Sequence, residues 1–352
     1  MNTELKRLIQ DDCKGSCTDL EALSSLTNQS VLVTGGTGFM GKWIAEMVCY
    51  LNQDHNFNIK LYLLARDMEK FRNEVPHLAK NNAITLLEQD VRNLKDLPDN
   101  MNYIIHAAAS PDNREHASQP LRTIETIYKG TNAILDACFR MPDLKKIVHI
   151  SSNYVYGTID NPATANTEKT FGYADCNAVN TAYGESKRIA ETLCSIYRNQ
   201  QQLPITIVRP FAFIGPYQYL EKPWAVNNFI RDGLMGGPIK ILGNENTVRS
   251  YLYASDMSYW ILAILAGNTG SNVYNIGSPK GISLKELANK ISSGINKNIE
   301  IVNRSSKESY VTASISVPDV SLIIKHLNVK ETVDLDNALH KTIEWNRLLN
   351  NK

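Results

Sequence analysis

The sequence carries almost no net charge and contains no long apolar run. Its 37 lysines and arginines balance 36 aspartates and glutamates, and no dense basic block with interleaved aromatics occurs. A balanced surface has no field that would attract nucleic acid. The first thirty residues hold charged side chains and no stretch of signal-peptide or membrane-span length. We therefore predict a cytoplasmic protein that binds neither nucleic acid nor membrane.

Paired cysteines and metal-ligand spacings are also missing. The six cysteines are scattered, and only Cys13 and Cys17 lie close together, with no histidine pair at ligand spacing beside them. This pattern indicates free thiols and predicts no metal site.

From residue 30 onward, short β-branched runs alternate with amphipathic helical stretches. The apolar runs read VLVTG, IKLYLLA, AITLLEQDV, YIIHAAA, KIVHISS and ITIVRPF. Strands separated by helices are typical of an α/β fold, a doubly wound parallel sheet covered on both faces. We predict this sheet over 30–215 and a smaller C-terminal α/β lobe over 216–352, with segments crossing between them. Residues 1–29 are predicted to be a polar, partly helical extension whose role the sequence does not indicate.

The stretch VLVTGGTGFMG, at 31–41, places glycines where a strand gives way to a helix. Missing side chains allow a tight turn and let a pyrophosphate approach backbone N–H groups at the helix N-terminus. The spacing predicts a dinucleotide cradle made by Gly35, Gly38 and Gly41, with Phe39 and Met40 at the start of the helix.

The second strand, IKLYLLARD, indicates which dinucleotide is bound. It is expected to end near Leu64, where an acidic residue would accept hydrogen bonds from the adenosine ribose of NAD. Ala65 and Arg66 follow instead, and an arginine there can pair with a 2′-phosphate. NADP(H) is therefore favoured, and NAD(H) held through Asp67 is the alternative.

Tyr183 and Lys187 lie four residues apart in a predicted helix, after the strand end HISSNYVYG at 149–157. Residues at this spacing share a helix face, so the ammonium can lie near the phenol and favour its ionised form. A free tyrosine titrates near 10, so an acid or base at neutral pH needs such help. The pattern is common by chance, and the glycine loop upstream is what favours a catalytic role.

Taken together, the motifs resemble the extended short-chain dehydrogenase/reductase family that acts on nucleotide sugars. The matching segments are TGGTGFMG, HAAAS, SSNYVYG, YGESK, VRPFAFIGP, RSYLYASDM and YNIGS. They cover nearly everything after residue 30. The resemblance implies a Rossmann-type sheet, a nucleotide-sugar substrate and a homodimer formed through paired helices.

The resemblance also implies roles for individual residues. Ser152 would hydrogen-bond the reacting sugar oxygen, Tyr183 would give or take its proton, and Lys187 would bind the nicotinamide ribose and tune Tyr183. Further cofactor positions implied by the family are Asp90 and Val91 against adenine, Ala107, Ala108 and Ala109 under the cofactor, and Pro210. Further substrate positions are Asn153, Tyr154, Asn228 and Arg249, the last through the diphosphate.

The sequence departs from the family at several of these positions. Family 4,6-dehydratases carry Asp-Glu directly after the reactive hydroxyl, whereas this chain has Asn153 and Tyr154. Without a carboxylate pair, dehydration is disfavoured and decarboxylation is weakened. Ile127 and Ala212 also replace asparagines that are usual in the family, so the sugar and the nucleotide base are not indicated.

The leading hypothesis is NADP(H)-dependent reduction of a 4-keto, 6-deoxy nucleotide sugar made for a surface polysaccharide. A nucleotide-sugar epimerase that retains its cofactor would use the same residues, and net redox change separates the two. A non-catalytic dinucleotide-binding regulator is the third hypothesis. The intact Ser152, Tyr183 and Lys187 argue against it.

Overall fold

The computed structural model describes residues 3–94, 97–159, 165–268, 270–296, 299–304 and 313–350. Its α-helices are α1 (Thr3–Ser16), α2 (Phe39–His55), α3 (Glu69–Glu74), α4 (Pro76–Ala79), α5 (Asn113–Ser118), α6 (Pro120–Phe139), α7 (Ala182–Gln200), α8 (Ala225–Leu234), α9 (Ala254–Ala266), α10 (Leu284–Ile295), α11 (Ser321–Leu327) and α12 (Leu335–Asn350). Its strands are β1 (Ser30–Thr34), β2 (Lys60–Ala65), β3 (Ile84–Glu88), β4 (Tyr103–His106), β5 (Lys146–Ile150), β6 (Ile205–Pro210), β7 (Ala212–Ile214), β8 (Ile239–Ile241), β9 (Val248–Arg249), β10 (Tyr251–Tyr253), β11 (Val273–Ile276), β12 (Ile282–Ser283), β13 (Ile301–Asn303) and β14 (Ile315–Ser316). Short 3-10 turns cover Glu21–Leu26, Val91–Asn93, Asn153–Tyr156 and Val179–Thr181.

Seven of the described strands form one parallel sheet in the order β11-β6-β5-β4-β1-β2-β3. β1 and β4 are buried along their whole length, which requires cover on both faces. The sheet confirms the predicted doubly wound α/β fold. The strand order reverses between β1 and β4, so the crevice beyond their carboxyl ends is the place where such sheets bind ligands.

Helices cover the two faces of the sheet, and β1 shows how the sequence divides between them. Val31 and Val33 join one core with α2 and α9, while Leu32 between them joins the other. Strand side chains alternate between faces, so this assignment follows from the period of two. α6 and α7 pack against each other on the second face.

The N-terminal segment is part of the fold, although the sequence suggested only an extension of unknown role. Leu5, Ile9 and Cys13 of α1 are almost completely buried, and α1 packs against α2 and α9. Asp12 is 3% exposed and accepts hydrogen bonds from the hydroxyl of Tyr253 and the ammonium of Lys341, both at 2.6 Å. This segment therefore adds a helical layer over α2.

The smaller lobe consists of short paired strands with α8, α10 and α12. β13 pairs with β8, and β9 lies between β12 and β14. β11 returns from this region to the edge of the large sheet beside β6. The boundary between 215 and 216 stays a prediction. Among the described residues, no helix combines the length and apolarity needed to cross a membrane.

One surface of the large lobe exposes apolar side chains from two neighbouring helices. They recur at helical spacing and make up what we call the α6–α7 face, namely Leu121, Ile124 and Tyr128 of α6 and Ile189 and Ile196 of α7. Each of these side chains is between 39% and 77% exposed.

Candidate active site

The glycine loop joins β1 to α2 and packs closely against neighbouring backbone. Gly35 has a φ of 69°, and a Cβ there would lie 2.7 Å from the carbonyl oxygen of Ala107. A Cβ on Gly41 would collide with the carbonyl of Gly36. Gly38 is the N-cap of α2, which has no acidic residue in its first turn. These features fit a pyrophosphate on the backbone N–H groups.

The ends of β1 and β4 are joined beneath this loop. The backbone N–H groups of Ala107 and Ala108 donate to Oγ1 of Thr34, at 3.1 and 3.2 Å. Ala109 packs beside Ile127, which is buried. The three alanines that the family resemblance assigned to the cofactor thus follow directly after β4, and the first two lie beside Gly35.

The adenosine side of the crevice is only partly as expected. β2 ends at Ala65, one residue beyond the predicted position, and Arg66 is exposed directly after it. Asp90 follows β3, but its carboxylate accepts hydrogen bonds from the backbone and guanidinium of Arg92, the shortest at 2.6 Å. Arg92 already donates to the Asp90 carboxylate. A contact between Asp90 and adenine, as predicted, would therefore require this carboxylate to bind both Arg92 and the base. Val91 is buried.

Ser152, Tyr183 and Lys187 come together at the end of β5, as the sequence predicted. Ser152 is the N-cap of a 3-10 turn, where its Oγ accepts from the N–H of Tyr154 at 3.2 Å. The hydroxyl of Tyr183, on α7, lies close enough to the Ser152 side chain for that side chain to lower the pKa of the phenol. Lys187 lies one turn further along α7 and donates to the carbonyl of Ile150 at 2.8 Å. All three catalytic candidates are buried.

Burial controls the charge of this group. Desolvation raises the pKa of Tyr183 to about 12, although the hydrogen bond from Ser152 opposes it. Desolvation lowers the pKa of Lys187 to about 8, and the charge of Glu191 opposes that change. Lys187 Nζ lies 5.9 Å from the Tyr183 ring centroid. The structure therefore differs from the expectation that Lys187 lowers the Tyr183 pKa, because burial of the phenol dominates.

His116 stacks on the ring of Tyr183, a contact that the sequence did not indicate. The ring centroids are 4.1 Å apart and the planes differ by 10°. His116 Nε2 lies 2.7 Å from the carbonyl oxygen of Ser110, so this nitrogen must carry the proton. Tyr154 packs its ring edge-on against Tyr183 from another side. The phenol is therefore fixed by rings on two sides.

A second contact that sequence reasoning missed links the two lobes beside His116. Asp112 is the N-cap of α5 and is 2% exposed. Its carboxylate lies 3.0 Å from the ammonium of Lys222, beyond β7. This ion pair and Arg114 hold the pKa of Asp112 well below its usual range. The ion pair between Asp112 and Lys222 connects the segment that carries His116 to the chain that follows β7.

Glu191 supports the strand end that carries Ser152. It accepts a hydrogen bond from Oγ of Ser151 at 2.6 Å and pairs with Arg209 at 2.7 Å. It lies one turn beyond Lys187 on α7, so one helix face presents the phenol, the ammonium and this anchor. A Tyr-x-x-x-Lys-x-x-x-Glu spacing was the available signal in the sequence.

The predicted substrate residues lie in the 3-10 turn after β5, on α8 and on β9. Asn153 donates to Oγ of Ser316 at 2.9 Å, and Tyr154 is 46% exposed. Arg249 donates to the backbone carbonyl of Ser314 at 3.1 Å and lies near Tyr154. Asn228 on α8 is half-buried, and its side chain has no hydrogen bond within the described residues.

Neither residue after the reactive serine is a carboxylate. The polar and aromatic side chains placed beside Ser152 or Tyr183 are amide, aromatic, imidazole and ammonium groups, and Ile127 and Ala190 pack against Tyr183 as well. Within the described ranges, no cluster of three or more histidine, cysteine, aspartate or glutamate residues could hold a metal ion.

A glycine cradle at a strand switch point, with buried serine, tyrosine and lysine beside it, is the arrangement of an α/β enzyme that binds a dinucleotide. The model of the NAD dependent epimerase/dehydratase family matches residues 31–277. The chain belongs to this family.

Individual relatives are distant but extend over most of the chain. UDP-glucuronic acid decarboxylase 1 of Xenopus tropicalis is 26% identical, over 92% of this chain and 74% of the relative. UDP-N-acetyl-alpha-D-glucosaminuronate decarboxylase of Bacillus cytotoxicus is also 26% identical, over 91% of this chain and 98% of the relative. The structure of UDP-glucuronic acid 4-epimerase from Bacillus cereus, with UDP-glucuronic acid and NAD, superimposes with a TM-score of 0.77 at 22% identity. It covers 91% of this chain and 100% of the epimerase, and at this identity it shows the shared fold.

Proposed function

We propose that this enzyme reduces the 4-keto group of a nucleotide sugar with NADP(H). The observation that carries the proposal is the buried Tyr183 phenol, whose pKa is raised to about 12 by burial and which lies beside the buried Ser152. Such a phenol is protonated at neutral pH and suits proton donation to a carbonyl oxygen. A bound nicotinamide dinucleotide would supply the hydride.

The residues have separable tasks in this reaction. The Ser152 hydroxyl would hold the sugar oxygen next to Tyr183, which gives its proton to that oxygen as the carbonyl becomes an alcohol. Lys187 would hold the nicotinamide ribose and support the phenolate that forms. The backbone of the glycine loop would hold the pyrophosphate.

Asn153 and Tyr154 restrict the chemistry to carbon 4. Elimination of water from C5 and C6 needs a general acid and base, and neither side chain supplies a carboxylate. Both are also engaged, Asn153 with Ser316 and Tyr154 with Asn113 at 3.3 Å. Arg249, on the other side of Tyr154, would bind the substrate diphosphate, for which an arginine fork is suited.

Epimerisation at C4 is the second candidate, because the family model bears that name and the same three residues serve both directions of hydride transfer. An epimerase oxidises and then reduces the same carbon, so it keeps its cofactor and shows no net redox change.

The experiment follows nicotinamide absorbance with NADPH or NADH and UDP- or dTDP-4-keto-6-deoxyglucose. Stoichiometric NADPH loss is expected, with at least about 100-fold slower turnover for Tyr183→Phe. No oxidation of either cofactor with these substrates would refute the reductase.

A parallel assay treats UDP-glucose and UDP-glucuronic acid with NAD and separates the products. Interconversion of C4 epimers without cofactor consumption identifies an epimerase, and release of carbon dioxide from UDP-glucuronic acid identifies a decarboxylase. Dinucleotide binding without turnover of any substrate would support the non-catalytic hypothesis.

We also propose that the protein is a cytoplasmic homodimer. The α6–α7 face exposes five large apolar side chains at helical spacing, and two copies of paired helices could bury them against each other.

A further inference from the structure

The short helix α5 carries His116, whose ring covers Tyr183, and its position must be fixed from outside. It contains six residues, and isolated helices of that length are not stable in water. It packs against α6 and against the 3-10 turn at Val179–Thr181. Its N-terminus is held by polar contacts around Asp112, the N-cap residue. The partners of Asp112 therefore decide where α5 lies.

The Asp112 carboxylate is 2% exposed and has two cationic partners among the described residues. Arg114 donates to it from its backbone N–H at 3.0 Å and from its guanidinium at 2.9 Å. Arg114 belongs to α5 and is 59% exposed, so it moves with the helix and cannot fix its position. Lys222 donates to the same carboxylate at 3.0 Å from 110 positions away. Within the described part of the chain, Lys222 is therefore the cation that joins the N-terminus of α5 to another segment.

The chain around Lys222 is itself anchored to two helices. The indole of Trp43, on α2, donates to the carbonyl of Pro216 at 2.9 Å. The side chain of Asn227, on α8, donates to the carbonyl of Tyr219 at 2.8 Å. Because this segment is held on both sides, the ammonium of Lys222 limits how far the N-terminus of α5 can move.

A second acidic side chain of α5 also faces Lys222. The carboxylate of Glu115 lies 3.8 Å from the ammonium and is 52% exposed, whereas Asp112 is buried. Ion pairs are stronger where water is excluded, so the pair with Asp112 dominates. Since Glu115 belongs to the same short helix, both carboxylates draw Lys222 to the same end of α5.

The ring contact passes the position of α5 to the phenol. His116 lies one turn beyond Asp112, and its ring centroid is 4.1 Å from that of Tyr183, with nearly parallel planes. A proton donor must stay within hydrogen-bond reach of the oxygen that takes its proton. We propose that Lys222 is a positioning residue, which acts through Asp112 and His116 to hold the Tyr183 phenol for proton transfer. This inference rests on the proposed function in taking Tyr183 as the proton donor, and it applies equally to epimerisation at C4.

A double-mutant cycle on kcat tests whether Lys222 acts through His116. Lys222→Met, which keeps a long side chain and removes its charge, is combined with His116→Ala. Turnover is measured with UDP-4-keto-6-deoxyglucose and NADPH, or with UDP-glucose and NAD if the enzyme is an epimerase. Lys222→Arg is the conservative variant, and Lys290→Met is the matched control, because the ion pair of Lys290 with Asp336 joins α10 to α12. Thermal unfolding of each variant checks that the fold is intact.

Lys222→Met should lower kcat about threefold to tenfold, as expected for His116→Ala, with less than about a twofold change in KM. In the His116→Ala background, Lys222→Met should change kcat less than about twofold, because the ring through which it acts is already absent. Lys222→Arg should retain most of the activity, and Lys290→Met should match the wild type.

A further variant separates the lost anchor from an unpaired buried charge. Asp112→Asn keeps an N-cap acceptor for the N–H of Arg114 and removes the carboxylate. Combined with Lys222→Met, it should lower kcat as much as Lys222→Met alone, because α5 is still not anchored. Recovery of the wild-type kcat would assign the loss to the unpaired charge and overturn the proposal.

Hydrogen exchange of the free enzyme tests the anchor without any turnover. The amides of 112–118 should exchange about tenfold faster in Lys222→Met than in the wild type, because a hydrogen bond to a buried charged group is lost. In Lys290→Met they should exchange as in the wild type. Equal exchange in Lys222→Met and the wild type would overturn the anchor.

Two kinetic results would also overturn the proposal. An equal loss of kcat with and without the His116 ring would show that Lys222 acts independently of it. A rise in KM alone would place Lys222 against the substrate. A wild type that converts neither nucleotide sugar would refute the proposed function, and the exchange measurement would still decide whether Lys222 anchors α5.

Discussion

Replacing Lys187 with methionine is expected to stabilise the fold at neutral pH while it abolishes activity. The Lys187 side chain is 4% exposed, and the carbonyl of Ile150 is its hydrogen-bond acceptor. Burial lowers its pKa from 10.5 to about 8, and at about 1.36 kcal/mol per pKa unit this corresponds to roughly 3 kcal/mol. Lys187 is still protonated at neutral pH, so the folded enzyme bears this cost there.

The dependence on pH distinguishes this effect from a general change in packing. Between about pH 8 and the ordinary lysine pKa, the unfolded chain binds the proton and the folded enzyme does not. Wild-type stability therefore rises with pH through that window, and the cost of the ammonium disappears. The methionine variant lacks this dependence. It also leaves the Ile150 carbonyl without its donor, which costs about 1–3 kcal/mol.

We expect Lys187→Met to exceed the wild type by about 1 kcal/mol at neutral pH and to fall below it near pH 10. Urea unfolding followed by tryptophan fluorescence at both pH values measures the difference. Lys129→Met is the control, because Lys129 is 54% exposed and should change stability by less than about 0.5 kcal/mol at either pH. A difference that is the same at both pH values would refute the reasoning.

Three further changes probe the cofactor loop, the phenol and the predicted dimer. Gly41→Ala should abolish dinucleotide binding measured by fluorescence, whereas Gly15→Ala, whose Cβ meets nothing within 4 Å, should leave it intact; equal binding by both would contradict the cradle. His116→Ala should lower kcat about threefold to tenfold with little change in KM, because a ring pair contributes about 0.5–1.5 kcal/mol to holding Tyr183, and His116→Phe should restore most of it; a loss in KM alone would count against positioning. Ile189→Arg should convert a dimer to a monomer in light scattering, and a wild type that is already monomeric would disprove the dimer.

The sequence was sufficient for the sheet and for the catalytic group because both depend on local patterns. Continuous apolar runs such as the one around Leu32 identify buried strands, and glycine spacing identifies the loop between β1 and α2. Tyr183 and Lys187 share a helix face because residues four positions apart in a helix lie on the same side. The end of β2 was predicted within one residue, since an apolar run stops where Arg66 begins.

The remaining parts of the site depend on contacts between distant segments. His116 lies in a short helix without amphipathic periodicity, so nothing local indicates that its ring covers Tyr183. The desolvation that raises the Tyr183 pKa depends on that cover and could not be anticipated from Lys187 alone. The salt bridge between Asp112 and Lys222 spans 110 positions, and either residue alone resembles an ordinary surface charge.

The first helix also bears on how the chain assembles. Asp12 meets its partner Lys341 across 329 positions, so the ion pair can form only after the segments between them have been made. Until then, α1 must either stay away from α2 and α9 or bury an uncompensated charge against them, which is unfavourable. Closing so long a loop adds a non-local step after the sheet has formed. We infer that the ion pair between α1 and α12 forms late in folding, after the sheet that lies between them in the chain.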